Sequence, residues 1–131
     1  MKISTDTRNV LKNFSTINSG IRVKSGNKLE TISNMKNILA VATVDESFPQ
    51  DFSIYNLPEF LGATSLMSDP DFQFGDASLT VADDNSSLAY FYASEGMVVA
   101  PDKMITMPEA EINIEISSTL LSELQKAASV L

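Results

Sequence analysis

Cysteine and histidine are both missing from this 131-residue chain. Without cysteine there is no disulfide, no thiol nucleophile and no thiolate metal site. Without histidine there is no imidazole base and no histidine-ligated metal. Long apolar runs are missing too, and none approaches the roughly 18–20 residues that a membrane-spanning helix needs. The opening, MKISTDTRN, carries one lysine but no apolar segment of the kind a secretory signal requires. The expectation is a soluble, cytoplasmic protein. In that setting the two N-x-S/T matches, at Asn13 and Asn85, carry no meaning as glycosylation sites.

What remains is 44% hydrophobic and 20% charged, ordinary for a globular chain. The length suits one compact domain and the beginning of another. An enzyme built from these residues would need paired carboxylates. The pairs Asp69/Asp71, Asp83/Asp84 and Glu109/Glu111 all lie in polar, turn-like text, where ionised carboxylates are simply solvated. The stretch DPDFQFGD resembles a calcium loop only in part. Counting from Asp69, Phe74 occupies the position where such a loop needs glycine, and Thr80 the position of the closing glutamate. Neither catalysis nor a bound metal or other cofactor is expected.

Positive charge is scarce and unevenly placed. Residues 1–37 hold seven basic and two acidic residues, a net of +5; residues 38–131 hold two basic and fifteen acidic, a net of −13. Such asymmetry suits a face built for a polyanion on a body that repels it elsewhere. It also suits a solvated helix and hairpin that happen to be basic.

Local patterns supply the elements. Residues 2–4 read as a short strand. Ser4 or Asp6 then caps a helix over about 6–18, with Val10, Leu11, Phe14 and Ile17 as its buried stripe, Arg8, Lys12 and Ser15 opposite, and Gly20 as its stop. GIRVKSGNKLETI reads as a hairpin turning at Gly26-Asn27. NILAVATV and DFSIYN are further strands. LPEFLGATSLM is a second helix, opened by Pro58, with Leu57, Phe60, Leu61 and Met67 inward. Short strands follow at 72–75, 78–82 and 88–93. The stretch around Pro101 and Pro108 is a connector. INIEIS is a strand with Ile112, Ile114 and Ile116 on one face, and STLLSELQKAASVL is an amphipathic helix. A strand runs into a helix three times, at KISTDTRNVLKN, FSIYNLPEFLGA and INIEISSTLLSEL. The fold class expected is therefore α+β: one domain of two βαβββ units over 1–98, a connector over 99–110, and the first strand and helix of a second domain over 111–131.

The stretches LKNFSTINSGIRVKSG, SIYNLPEFLG, SLMSD and VVAPDKMITMP resemble the N-terminal half of the sliding clamps of T-even-type bacteriophages, the DNA polymerase processivity factors. The resemblance covers essentially the whole chain and is weakest over 29–50. It implies the DNA clamp fold. Members of that family form homotrimeric rings of two-domain subunits whose helices line a central hole. The ring encircles duplex DNA without reading sequence, is placed by an ATP-driven loader and tethers the polymerase.

By that resemblance Arg8 and Lys12, on the first helix, face DNA, and Lys126 on the last helix joins them, although Ser129 replaces a second basic residue there. Positive charge confined to the inner wall meets phosphates without contacting bases. Leu39, Ile105 and Met107 match positions that line a pocket for apolar peptides of partner proteins, beside the connector. A full subunit would need roughly another hundred residues, so the chain reads as truncated. The family's partners would be duplex DNA, the polymerase and the clamp loader. The uncovered segment 111–131 would drive self-association into a homo-oligomer. The alternative is a stand-alone interaction module that keeps the fold and the connector pocket without encircling DNA.

Overall fold

The computed structural model describes residues 1–102 and 106–131. The first helix, α1, spans Thr5–Ile17. It starts there because Ser4 is extended and its Oγ accepts the Thr7 N–H at 3.2 Å, satisfying one of the free donors of the first turn. Thr7, Leu11 and Phe14, at helical spacing, are its buried stripe. The strand expected over residues 2–4 does not form as such. Met1 alone pairs across the gap, its carbonyl accepting the Phe72 N–H at 2.8 Å.

The next four strands form one long, broken ribbon. These are β1 (Ile21–Val23), β2 (Gly26–Ile32), β3 (Leu39–Phe48) and β4 (Phe52–Ile54). β2 pairs antiparallel with β3, and β1 with β4. The hairpin expected at Gly26-Asn27 is therefore corrected. The chain bends at Gly26, which has φ +113°, and continues in the same direction. The register shifts between Gly26 and Lys28, where the two steps on β2 face the five from Phe48 to Thr43, so β3 bulges opposite the bend. The break is held across the ribbon by the Ser25 N–H, which donates to Asp51 Oδ1 at 2.7 Å. The real reversal lies at residues 33–38. There the Ser33 Oγ accepts the N–H groups of Asn37 and Ile38 at 3.1 and 3.0 Å, and Lys36 takes the left-handed conformation at φ 59°.

Helix α2 spans Leu57–Ser65, with Pro58 in its first turn. Asn56 caps it by accepting the Glu59 N–H at 3.1 Å and donating to the Glu59 carboxylate at 3.0 Å. Leu57 and Phe60 are buried, and Leu61 and Met67 pack partly against the core, as the spacing requires. A three-stranded meander follows: β5 (Asp71–Phe74), β6 (Ser78–Ala82) and β7 (Ser87–Phe91), with β6 in the middle. Helices α1 and α2 pack on each other, and α1 also packs on β2 and β3. One apolar cluster joins all of these, from Leu11 and Phe14 through Ile21, Leu29 and Leu57 to Phe72 and Val81.

Residues 106–131 differ. The strand expected over 112–116 is absent, and Ile112, Ile114 and Ile116 are 78%, 75% and 51% exposed. The physical reason is that an alternating segment becomes a strand only against a hydrogen-bonding partner, and none pairs with it among the described residues. Helix α3 (Ser118–Val130) does form, capped by the Ser117 Oγ on the Leu120 N–H at 3.1 Å. It buries none of its residues, and Leu120, Leu121 and Leu124 are each at least 40% exposed.

Candidate DNA-facing helix and connector site

The outward side of α1 carries Thr5, Asn9, Lys12, Asn13 and Thr16, of which Lys12 and Asn13 are among the exposed. Lys12 is where the sequence places it. Arg8 sits lower than expected: it is half-buried, and its Nε is shut off from solvent without a hydrogen-bond partner. At helical spacing it falls between the buried stripe and the outward face, so its stem lies along the protein. It lines an open recess with Lys2, Ser4, Glu46 and Asp69. Ser15, expected opposite the stripe, is half-buried, with its hydroxyl turned back onto the Lys12 carbonyl at 2.6 Å. The outer side of α2 offers Glu59, Gly62 and Ser65 and no basic residue. Lys126 is exposed on α3, and since α3 buries nothing, no packing contact ties it to the face of Arg8 and Lys12.

The start of α1 is fixed from a distant strand. Glu46, on β3, accepts the Ser4 N–H at 2.8 Å and the hydroxyl of the buried Thr7. Partial burial pushes the Glu46 carboxyl up, but the bonds from Thr7 and Ser4 together outweigh it and hold it below the ordinary 4.5. The group binds its proton more weakly folded than unfolded. Its contribution to stability is therefore complete above about pH 4.5 and is lost as the pH falls through the lower folded-state value. Glu46→Gln should cost about 1–2 kcal/mol at neutral pH. Urea unfolding should show that difference shrinking as the pH falls below the ordinary 4.5. A difference that is constant across the acid range would show that the carboxylate charge is not what holds the helix start.

Three of the carboxylates paired in the sequence, Asp69, Asp71 and Asp83, have structural duties. Asp83 takes N–H groups from Ser68, Asn85 and Ser86 at 2.7–2.9 Å, closing the turn between β6 and β7. Those bonds hold its carboxyl below the usual range. Asp71 pairs with the α-amino group of Met1 at 2.7 Å, and Asp69 with Lys2 at 3.4 Å. Among the described residues no group of acidic side chains is placed to hold a metal ion.

The connector begins against β1 and β4, and the residues that hold it were not legible as site residues. Asn18, the residue that ends α1, is buried. Its amide donates to the carbonyls of Ile32 and Val99 at 3.0 and 2.8 Å, and its Oδ1 accepts the Gly20 N–H at 3.0 Å. Arg22 donates to the Pro101 carbonyl at 2.7 Å and lies 3.9 Å from Asp102. Gly20 does not act as the helix stop. Asn18 ends the helix, and Gly20 gives clearance: a Cβ there would meet the Val98 side chain at 3.1 Å and the Ile54 carbonyl at 3.2 Å. The one sequence signal was the dense NSG run directly after an amphipathic helix.

Of the expected peptide pocket, Leu39 is 36% exposed at the start of β3, and Met107 is 80% exposed in the irregular run before α3. At that exposure Met107 packs against little, so Leu39 and Met107 do not close into a pocket by themselves. Ile105 lies outside the described residues.

A family model described as DNA polymerase processivity factor matches residues 4–100. The chain belongs to that family. Curated relatives agree. The sliding clamp of Enterobacteria phage T4 is 38% identical over 130 residues, spanning 98% of this chain and 57% of its own length. That of Escherichia phage RB69 is 33% identical over 131 residues, again 98% of this chain and 57% of the relative. The sliding clamp of Vibrio phage KVP40 is 29% identical over 135 residues, covering all of this chain and 61% of the relative. The chain thus spans about three-fifths of the length of these relatives, and the processivity-factor match covers the elements from the start of α1 to the start of the connector.

Proposed function

We propose that this chain forms the first-domain part of a non-enzymatic sliding clamp that tethers a DNA polymerase to duplex DNA. The observation that carries the reading is α1. It belongs to a processivity-factor domain, is anchored in the core by Leu11 and Phe14, and presents Lys12 outward with Arg8 one turn earlier at the flank of the buried stripe. In this reading Lys126 adds to the same wall once α3 is covered by further protein. Leu39, Ile105 and Met107 receive an apolar peptide of the polymerase or the clamp loader. The site of action is the cytoplasm of an infected bacterium. Among the described residues no helix is long and apolar enough to cross a membrane. Ring formation needs contacts between subunits, and the apolar residues of 111–131 are the surface through which two copies of this chain would associate.

Analytical ultracentrifugation with and without a short duplex tests this. The chain should self-associate at tens of micromolar, and its duplex binding should be weak, indifferent to sequence and lost as salt rises. The expected log–log slope is roughly −0.9 per phosphate neutralised. A monomer throughout, or binding that ignores salt, would overturn the proposal. A second reading has one observation in its favour. Asp6 and Glu59 offset Arg8 and Lys12 across the two helices, and the whole chain carries −8. A chain that binds partner peptides but no duplex would be the stand-alone module.

A further inference from the structure

The residues on β2 and β3 alternate between two faces. Leu29, Thr31, Ala40 and Ala42 turn toward α1, where Leu29 is completely buried. Lys28 and Glu30 therefore turn away from it, on the same face as their register partners Thr43 and Val41, with Leu39 next along. Val41 is 54% exposed. Where β2 bends into β1, this outer face deepens into a recess of about 200 Å³ lined by Arg22, Lys24, Ser25, Lys28, Glu30 and Pro101. Three cations meet one carboxylate there. Arg22 is engaged with the connector, but the ammonium groups of Lys24 and Lys28 make no ion pair with any described residue. On a chain of net charge −8, this is a concentrated positive spot beside an apolar strip.

From this arrangement we infer that the recess selects partner segments carrying acidic residues next to their apolar anchor, with Lys24 and Lys28 receiving the carboxylates while Leu39 and Val41 take the apolar side chain. The inference rests on the connector-side docking reading and adds the chemistry of the partner to it. A peptide fits better than DNA for three reasons. The recess has side-chain dimensions. Glu30 stands inside it and would repel a continuous phosphate backbone. It also opens on the opposite face of the ribbon from α1. Complementary charge of this kind chiefly sets partner choice and the rate of encounter. It also keeps acidic partners from being repelled by the rest of the surface.

The test uses the full chain and three fluorescein-labelled probes. One is a decapeptide of leucine and phenylalanine interleaved with aspartate and glutamate. The second is its asparagine and glutamine isostere, and the third is a short DNA duplex. The acidic peptide should bind roughly tenfold more tightly than the isostere at low salt, since two charge-assisted contacts distinguish them. The double variant K24Q/K28Q, whose changes lie on exposed positions, should bind both peptides alike. Equal affinity of the wild type for the two peptides overturns the inference alone, and so does a K24Q/K28Q variant that keeps the preference. A K24Q/K28Q variant that loses duplex binding instead assigns the recess to DNA and also overturns it. Failure of both peptides to bind takes down the connector-side docking reading as well.

Discussion

Replacing Arg8 and Lys12 together by glutamate should abolish duplex binding. Each phosphate contact contributes roughly one tenfold step near 0.1 M salt, from the slope of about −0.9 per phosphate. Losing two contacts should therefore weaken binding roughly a hundredfold and flatten the salt dependence by about two units of slope. Reversing the charges adds repulsion on top. Lys12 is exposed, so its substitution leaves the fold untouched. Arg8 is half-buried with its Nε lacking a partner, so its removal strips a packed stem but breaks no hydrogen bond made by that nitrogen. Lys12→Glu alone is the cleaner control, with roughly a tenfold loss. Fluorescence anisotropy with a duplex at several salt concentrations reads all of this. A double variant that binds like wild type would place the DNA-facing surface elsewhere.

Asn18→Ala should cost more stability than Glu46→Gln. The Asn18 side chain is 5% exposed and satisfies two carbonyls and one N–H. Alanine leaves all three without that partner, and a buried group so abandoned costs about 1–3 kcal/mol. Allowing for partial rescue by water, the loss should be about 3 kcal/mol. Asn18→Asp should be no better, because a carboxylate would face the carbonyls of Ile32 and Val99. The Val99 end of the connector should come loose while the core around Leu29 stays formed. Urea denaturation gives the stability, and hydrogen exchange across residues 93–102 reports the connector. A variant within about 1 kcal/mol of wild type with normal protection over 93–102 would show that Asn18 is not the joint.

The parts of the fold that were legible share one property: their pattern is local. The stripe of Leu11 and Phe14, the cap at Ser4, Pro58 opening α2 and the three strands of the meander all follow from neighbours within a turn or a pleat. The expectations that failed needed information from afar. Alternation around Gly26 fits a hairpin and a bent strand equally well, and only the pairing of β1 with β4 decides. Ile112, Ile114 and Ile116 have the pattern of a strand but no partner among the described residues with which to become one. The candidate site divides in the same way. Lys12 follows from helical spacing. Asn18 and Arg22 act through carbonyls some eighty positions further along, and no local pattern announces such bonds.

The broken ribbon has a kinetic meaning. Its pairs are nested: Ile32 meets Leu39 across a short loop, while Ile21 meets Ile54 only at the far end. Closing the far pair first would confine a long stretch of free chain, whereas starting at the loop of 33–38 lets each new pair shorten the segment the next must close. The cheapest route for assembling β1 to β4 is a zipper that starts at the Ser33 turn and passes the bulge of β3 opposite Gly26 midway. The last pairs to close, Ile21 with Ile54 and Val23 with Phe52, are the ones that bring the end of α1 up to the beginning of α2. On that route the two helices meet late, as a result of the ribbon's closure, and their docking does not start folding.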